Sequence, residues 1–194
     1  MPWWAVLSSS CAPVLLIGGW QLAAARQPGG FDPVSQTISA LAARGATDRW
    51  IMSTALAGVG VCHVITAAGL APMAAPARLL LATGGAATAL LTVLPLPVTG
   101  DSPAHVAAAS VAFATLSLWP AFARRPALSG RAALPGHAAL PGHAALPCAA
   151  AVLLGLLGWF GLEYFAHSSR LGLSERVLAA AQALCPLAAA LLAC

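Results

Sequence analysis

Residues 50–71 have the sequence WIMSTALAGVGVCHVITAAGLA, which contains no Asp, Glu, Lys or Arg. A helix of about 20 apolar residues spans the hydrocarbon core of a bilayer, which is about 30 Å thick. Because that core holds no water, a spanning segment has to satisfy its own backbone hydrogen bonds, as a helix does. This run therefore predicts a transmembrane helix.

The rest of the chain repeats this pattern. Its 194 residues are 60% hydrophobic and 7% charged, whereas about a quarter of the residues in an ordinary soluble domain are charged. Pro, Gly and charged residues separate five further apolar runs of similar length. We therefore predict an all-α fold, a polytopic membrane protein whose single domain, residues 1–194, is a six-transmembrane-helix bundle. The predicted spans are about residues 5–25, 50–71, 77–95, 103–123, 145–166 and 175–193.

The connection between the first two spans carries a second pattern. Asp32 followed by Pro33 is typical of a helix N-cap and first helical position. Apolar residues then recur at i, i+4 and i+7, at Val34, Ile38 and Leu41. This spacing predicts a short amphipathic helix over about residues 33–44 that lies on, or dips into, the membrane surface. Such a helix either covers the bundle or lines a pocket with its hydroxyl groups.

The connection between spans 4 and 5 is a repeat. The hexapeptide AALPGH occurs at residues 132–137 and again at 138–143. Pro and Gly in each copy interrupt a helix, so we predict a flexible loop over about residues 124–144. Its two histidines, His137 and His143, have no acidic or thiolate neighbour, so we expect no metal site there.

Small residues also recur at helical spacing within span 5. They are Gly155, Gly158 and Gly161, at i, i+3 and i+6. Glycine lets two helix backbones approach closely within a membrane. The spacing therefore predicts a face that contacts another helix.

Charge is unequally divided between the two ends of such a bundle. All five acids fall at one end with five arginines, and the opposite end has no acid and four arginines, Arg78, Arg124, Arg125 and Arg131. Because cytoplasmic loops tend to be basic, we expect the acid-free end and both termini in the cytoplasm. The exclusive use of arginine over lysine favours a GC-rich bacterium, hence a multi-pass protein of the bacterial cytoplasmic (inner) membrane. The scattered arginines argue against nucleic-acid binding.

Acids and histidines collect at the predicted outer end. Asp101 and His105 are four residues apart at the start of span 4, as are Glu163 and His167 at the end of span 5. Each pair shares a helix face if its helix extends that far. A carboxylate beside an imidazole orients a general base or a metal ligand. These four residues are therefore candidate catalytic residues.

A larger set of polar residues at this end forms a candidate ligand-binding rim. Its members are Asp32, Ser35, Gln36, Ser39, Arg44, Asp101, His105, Glu175 and Arg176. The alternative is a structural network in which these side chains cap helices and pair with one another. We expect no cofactor and no bound metal.

His63 differs from the other titratable residues because it lies about 13 residues into span 2. An ionisable residue inside the membrane is by default a functional hypothesis. The competing explanation is a neutral histidine that is hydrogen-bonded to a neighbouring hydroxyl or carbonyl group.

Three short strings of the sequence resemble one known family. They are DPVSQTISAL at residues 32–41, GDSPAH at 100–105 and GLSERV at 172–177. With them the chain resembles, over essentially its whole length, the bacterial family catalogued as domain of unknown function 998. The resemblance implies a six-span integral membrane protein and brings no established catalytic residues.

These observations favour a small membrane protein that binds a membrane lipid or a small apolar ligand at its outward-facing polar rim. Two alternatives remain open. One is an intramembrane enzyme that acts on a lipid or isoprenoid through Asp, Glu and His groups. The other is an accessory subunit of a larger membrane complex, and a homo-oligomer is equally compatible. A transporter is disfavoured because polar residues are scarce at mid-membrane and no inverted repeat is evident.

Overall fold

Helices form all the regular structure that is described, with no strand among them. The computed structural model describes residues 1–100, 102–123 and 142–192, with residues 142–144 as backbone. The helices are α1 (Trp3–Ala25), α2 (Ile38–Leu41), α3 (Trp50–Gly69), α4 (Ala75–Leu90), α5 (Pro103–Leu118), a 3₁₀ helix (Trp119–Phe122), α6 (Gly142–Phe165) and α7 (Leu171–Leu192). The predicted all-α class is thus confirmed.

Five of the described helices are long and apolar enough to cross a membrane. They are Trp3–Ala25, Trp50–Gly69, Pro103–Phe122, Ala145–Phe165 and Leu171–Leu192. The chain is therefore a multi-pass membrane protein by the length and composition of its helices.

The predicted span over residues 77–95 is not among these five. Helix α4 has 16 residues, which at about 1.5 Å per residue give about 24 Å, less than the core thickness. The helix stops short because Pro95 and Pro97 cannot continue it and because the residue before a proline favours extended backbone.

The helices alternate in direction and close into a ring. Each of α1, α3, α4, α5, α6 and α7 packs against the next, and α7 packs back against α1. At one end, the terminal end, Met1 packs against the apolar cluster around Leu70. The opposite end, the loop end, carries residues 26–49, 91–100 and 166–170. The charged residues described at the loop end include two ion pairs, Arg26 with Asp48 and the exposed Arg170 with the buried Glu163.

Backbone hydrogen bonds place α4 within this ring. The N–H of Ala74 donates to the carbonyl of Ala123 at the terminal end. At the loop end, the N–H of Arg44 donates to the carbonyl of Leu96. Helix α4 and its non-helical continuation therefore run from one end of the ring to the other, although the helix alone is short.

The predicted amphipathic helix over residues 33–44 is wrong in extent. Only Ile38–Leu41 is helical, and the N-cap is Thr37, whose hydroxyl oxygen accepts a hydrogen bond from the N–H of Ala40 at 3.1 Å. Asp32, the predicted cap, does accept hydrogen bonds from the two residues that follow Pro33, and its carbonyl accepts the N–H of Gln36, so it caps a turn. That turn does not continue into α2, because Thr37 has extended backbone.

Some predictions fall where the structure gives no description. The repeat loop over residues 124–144 lies outside the described residues, apart from 142–144, whose backbone begins α6. His137, the side chain of His143 and Asp101 are also outside them.

The glycine face predicted on span 5 contacts no helix in the described part of the chain. A Cβ atom added at Gly155, Gly158 or Gly161 would meet nothing within 4 Å. In the most apolar window of α6, 11% of residues are buried, against 39–56% in the other four candidate spans. The prediction of a helix contact there is wrong for the residues described.

Close helix packing occurs instead between α3 and α4. A Cβ atom at Gly85 would lie 2.6 Å from the carbonyl oxygen of Gly60, and one at Gly60 would lie 2.5 Å from that of Gly85. Any side chain at either position would push the two backbones apart. Glycine is therefore required at this crossing.

We expect Gly85→Ala to lower the thermal unfolding midpoint of the detergent-solubilised protein. Overpacking costs about 1–3 kcal/mol, and each kcal/mol shifts the midpoint of a chain this size by roughly 2–4 °C. Gly155→Ala is the matched control, because its Cβ meets open space, and it should leave the midpoint unchanged or raise it. An equal fall in both variants, measured by scanning fluorimetry, would contradict the packing argument.

Candidate functional site

Residues 32–42, here called the covering loop, fold over the loop end of the ring. The carboxylate of Asp32 accepts hydrogen bonds from the N–H of Val34 at 3.0 Å and the hydroxyl of Ser35 at 2.5 Å. These bonds, that of Ser35 above all, hold the pKa of Asp32 below its usual value. The side-chain oxygen of Gln36 accepts the N–H of Asp32 at 2.9 Å. Three members of the predicted rim thus bond within their own loop.

Arg176 joins the covering loop to α7. Its Nη1 atom donates to three backbone carbonyls, those of Pro33 at 2.9 Å, Gln36 at 2.6 Å and Gly172 at 3.0 Å. The guanidinium also lies over the rings of Trp20 and Phe31, 5.9 and 5.2 Å from their centroids. A continuous helix would use the carbonyls of residues 33 and 36 for its own hydrogen bonds, which is a second reason why α2 is short.

Glu175 holds the other side of the loop. Its carboxylate is buried and accepts hydrogen bonds from the N–H of Ile38 and, at 3.2 Å, from the hydroxyl of Ser39. Among the residues described, it forms no ion pair. Beside it, Gly172 has no room for a side chain, because a Cβ atom there would overlap the backbone of Gln36. The loop therefore rests directly on the backbone of α7.

Two further members of the predicted rim lie apart from this contact. The side chain of Arg44 is exposed. His105 is buried on α5, and its Nδ1 atom lies 2.8 Å from the carbonyl oxygen of Leu94, to which it donates because a carbonyl can only accept. Ser102 caps this helix, with its hydroxyl oxygen accepting the N–H of His105 at 3.3 Å.

Glu163 and His167 do not share a helix face. Helix α6 ends at Phe165, and His167 lies in the turn that follows, exposed and with a φ of 49°. The carboxylate of Glu163 instead accepts the indole N–H of Trp159 at 2.8 Å. Within residues 1–100, 102–123 and 142–192, no three His, Cys, Asp or Glu side chains group as metal ligands.

Beneath the covering loop the ring contains a cavity of about 50 Å³. On this measure one water needs about 10–15 Å³, so the space takes roughly three to five groups of that size. Its walls come from the covering loop and from five helices, α1, α3, α4, α5 and α7, and are mainly apolar. The polar side chains that line it are Ser39, His63, Thr88, Glu175 and Gln182.

The cavity follows one face of α7. Glu175, Ala179 and Gln182 all line it and are spaced at i, i+4 and i+7, which places them on one side of the helix over about 10 Å. Glu175 marks its outer end, beneath the loop. The space therefore extends inward from the covering loop, along the axis of the ring.

His63 lines this cavity from α3. It is 1% exposed, and its Nδ1 atom is buried without a hydrogen-bond partner in the described part of the chain. The predicted alternative, a histidine satisfied by a neighbouring hydroxyl or carbonyl, is not what these residues show. A buried polar atom without a partner calls for an explanation such as a water or a ligand.

Gln182 is a cavity residue that the sequence analysis missed. Its amide nitrogen donates to the carbonyl of Phe113 and to the hydroxyl oxygen of Ser117, each at 2.9 Å. Because a carbonyl only accepts, this fixes which end of the amide is nitrogen. The available signal was a single amide within an apolar span, seven residues after Glu175.

A comparison with known protein families identifies the family of this chain. The family model described as "Protein of unknown function (DUF998)" matches residues 10–192. The chain belongs to this family. The match includes the covering loop and α7, and it confirms the resemblance carried by the three strings. No curated protein and no solved structure matches the chain.

We expect Arg176→Met to release the covering loop. The change removes the guanidinium donor from the carbonyls of Pro33 and Gln36, and each hydrogen bond to a charged group contributes about 1.5–3 kcal/mol. Amide hydrogen exchange over residues 33–42 should accelerate at least about tenfold, as measured by mass spectrometry. Arg170→Met is the matched control, because that arginine is 66% exposed and lies outside the loop contact. Equal exchange in the two variants would show that Arg176 does not hold the loop.

Proposed function

We propose that this protein binds a membrane lipid or another small apolar ligand, and that the polar end of the ligand occupies the cavity beneath the covering loop. The observation that carries the proposal is the set of five polar side chains around one cavity in an apolar ring. One of them is a histidine whose Nδ1 atom has no partner among the described residues. Polar groups that are buried without partners cost free energy, so a bound molecule stabilises the structure by satisfying them.

In this proposal the rim residues have two different roles. Asp32, Ser35, Gln36 and Arg176 shape the covering loop, and their contacts with one another support that role. Ser39 and Glu175 face the ligand, which is supported by their position in the cavity wall. The ligand site then lies just inside the polar rim instead of on its surface.

The enzyme alternative has less support. Among the residues described, His105 contacts a backbone carbonyl, Glu163 contacts Trp159 and Arg170, and His167 is exposed. No contact joins these candidates to one another in that part of the chain. An accessory or self-associating role draws support from α6, because its glycine face is open.

We expect a bound apolar molecule to be lost from Ala179→Leu. Ala179 lines the cavity, and a larger side chain there fills the space that the ligand would occupy. Ala188→Leu is the control, because it makes the same change on an exposed face of the same helix. Native mass spectrometry after mild extraction should show an adduct on the wild-type chain and the control, reduced at least about fivefold in Ala179→Leu.

Two results would contradict this proposal: no adduct on the wild-type chain, or an equal adduct on folded Ala179→Leu. Folding is checked on the same samples by size exclusion and the unfolding midpoint. These spectra also give the mass of the assembly, so a dimer would support packing through α6.

We also propose a bacterial inner membrane, with α4 as a sixth crossing, both termini in the cytoplasm and the covering loop outside. Two observations support this proposal. Helix α4 and its continuation run from one end of the ring to the other. The charged side chains that the sequence places at the terminal end are all arginines, and one of them, Arg78, donates to the carbonyl of Ala67. Alkaline phosphatase, which is active only outside the cytoplasm, should be inactive when fused after residue 194 and active when inserted after Gly29. The opposite pattern would reverse the orientation.

A further inference from the structure

The cavity offers mainly hydrogen-bond acceptors. Thr88 donates its hydroxyl proton to the carbonyl of Gly84 at 2.8 Å, and Ser39 donates its own to Glu175. Gln182 uses its amide nitrogen to donate to Phe113 and Ser117, which leaves its amide oxygen without a hydrogen-bond partner among the described residues. A neutral His63 presents one acceptor nitrogen as well as one donor. A ligand group that fits this wall has to donate several hydrogen bonds.

The cavity wall also contains the carboxylate of Glu175. This residue is 3% exposed and accepts hydrogen bonds from the Ile38 N–H and the Ser39 hydroxyl, both uncharged donors. The neighbouring guanidinium of Arg176 donates to backbone carbonyls and forms no ion pair with Glu175 in the described part of the chain. A buried charge is stable when an opposite charge contacts it. The wall therefore favours a cationic donor over a neutral one.

The volume of the cavity also limits which cationic groups it can hold. A space for roughly three to five water-sized groups admits an aminomethyl or aminoethyl group and excludes a sugar. The apolar remainder of the wall, with Leu56, Val59 and Ala179, suits the methylene groups that follow the charge.

We propose that the cavity binds a primary ammonium group carried on an apolar chain, with Glu175 as its counter-ion and Gln182, Thr88 and His63 as further acceptors. This inference rests on the proposed function and names the chemistry of its ligand. The ammonium group belongs to either an aminolipid head group or a free long-chain amine, and the experiment separates these two sources.

The test uses the full chain in nanodiscs of phosphatidylcholine, whose head group has no N–H donor. Dodecylamine, 1-dodecanol and dodecanoic acid are titrated at pH 7, with empty nanodiscs as the blank, and apparent dissociation constants are taken from the shift of the unfolding midpoint. We expect the amine to bind at least about tenfold more tightly than the alcohol, because a charge-assisted bond replaces a neutral one. The acid should not bind.

Variants locate the site. Glu175→Gln should remove the tenfold advantage of the amine, whereas Glu163→Gln, which changes a carboxylate outside the cavity wall, should keep it. Gln182→Leu leaves every contact of the covering loop in place and should weaken amine binding about fivefold. It keeps the test valid if Glu175→Gln does not fold.

The outcomes separate the two proposals. If none of the three probes shifts the midpoint, the proposed function fails. If the alcohol binds as tightly as the amine, or if Glu163→Gln and Glu175→Gln behave alike, the cavity binds ligands but the ammonium assignment is overturned. If phosphatidylethanolamine in the nanodisc abolishes the shift by dodecylamine, the lipid is the source of the ammonium group. If the shift persists, the source is a free amine, and both results support the assignment.

Discussion

The guanidinium of Arg176 binds the backbone carbonyls of Pro33 and Gln36, and the arrangement at the loop end depends on this contact. Where the covering loop packs against α7, its backbone carbonyls need hydrogen-bond donors from the protein. Arg176 supplies the donors for one side of the covering loop, and Glu175 supplies the acceptors for the other. One pair of adjacent residues thus fixes a loop that would otherwise have unpaired backbone groups.

The cavity follows from the same arrangement. Because six helices pack in a ring, with α7 against both α6 and α1, the axis of the ring remains only partly filled. The covering loop closes over this axis and places Ser39 at its outer end. The polar side chains of α3, α4 and α7 that line this space do not satisfy all of one another's hydrogen bonds. For example, the Nδ1 atom of His63 has no partner in the described part of the chain.

The sequence was sufficient for those features that depend on composition and on local pattern. Apolar runs of membrane length predicted the long helices, and the pair Ser102 and Pro103, which is typical of a helix start, stands where α5 begins. The sequence did not predict the structure of the covering loop. A periodicity of i, i+4 and i+7 gives no information about a distant arginine that donates hydrogen bonds to the carbonyls that a helix would use. The sequence also did not identify Gln182 as a cavity residue, because its position in the cavity wall depends on how the helices pack in the ring. The end of α6 at Phe165, which separates Glu163 from His167, is a local left-handed turn at His167, and the sequence did not signal it because the residue there is not glycine.

The covering loop and its partners are far apart along the chain. The hydrogen bonds of Arg176 to Pro33 and Gln36 span 143 and 140 residues, and that of Glu175 to Ile38 spans 137. During translation, α1 and the covering loop leave the ribosome long before α7 exists, so the loop must wait in the membrane surface with its carbonyls bound to water or lipid head groups. The ring, and with it the cavity, can therefore form only after α7 has been inserted, and a chain that stalls before α7 has no such cavity.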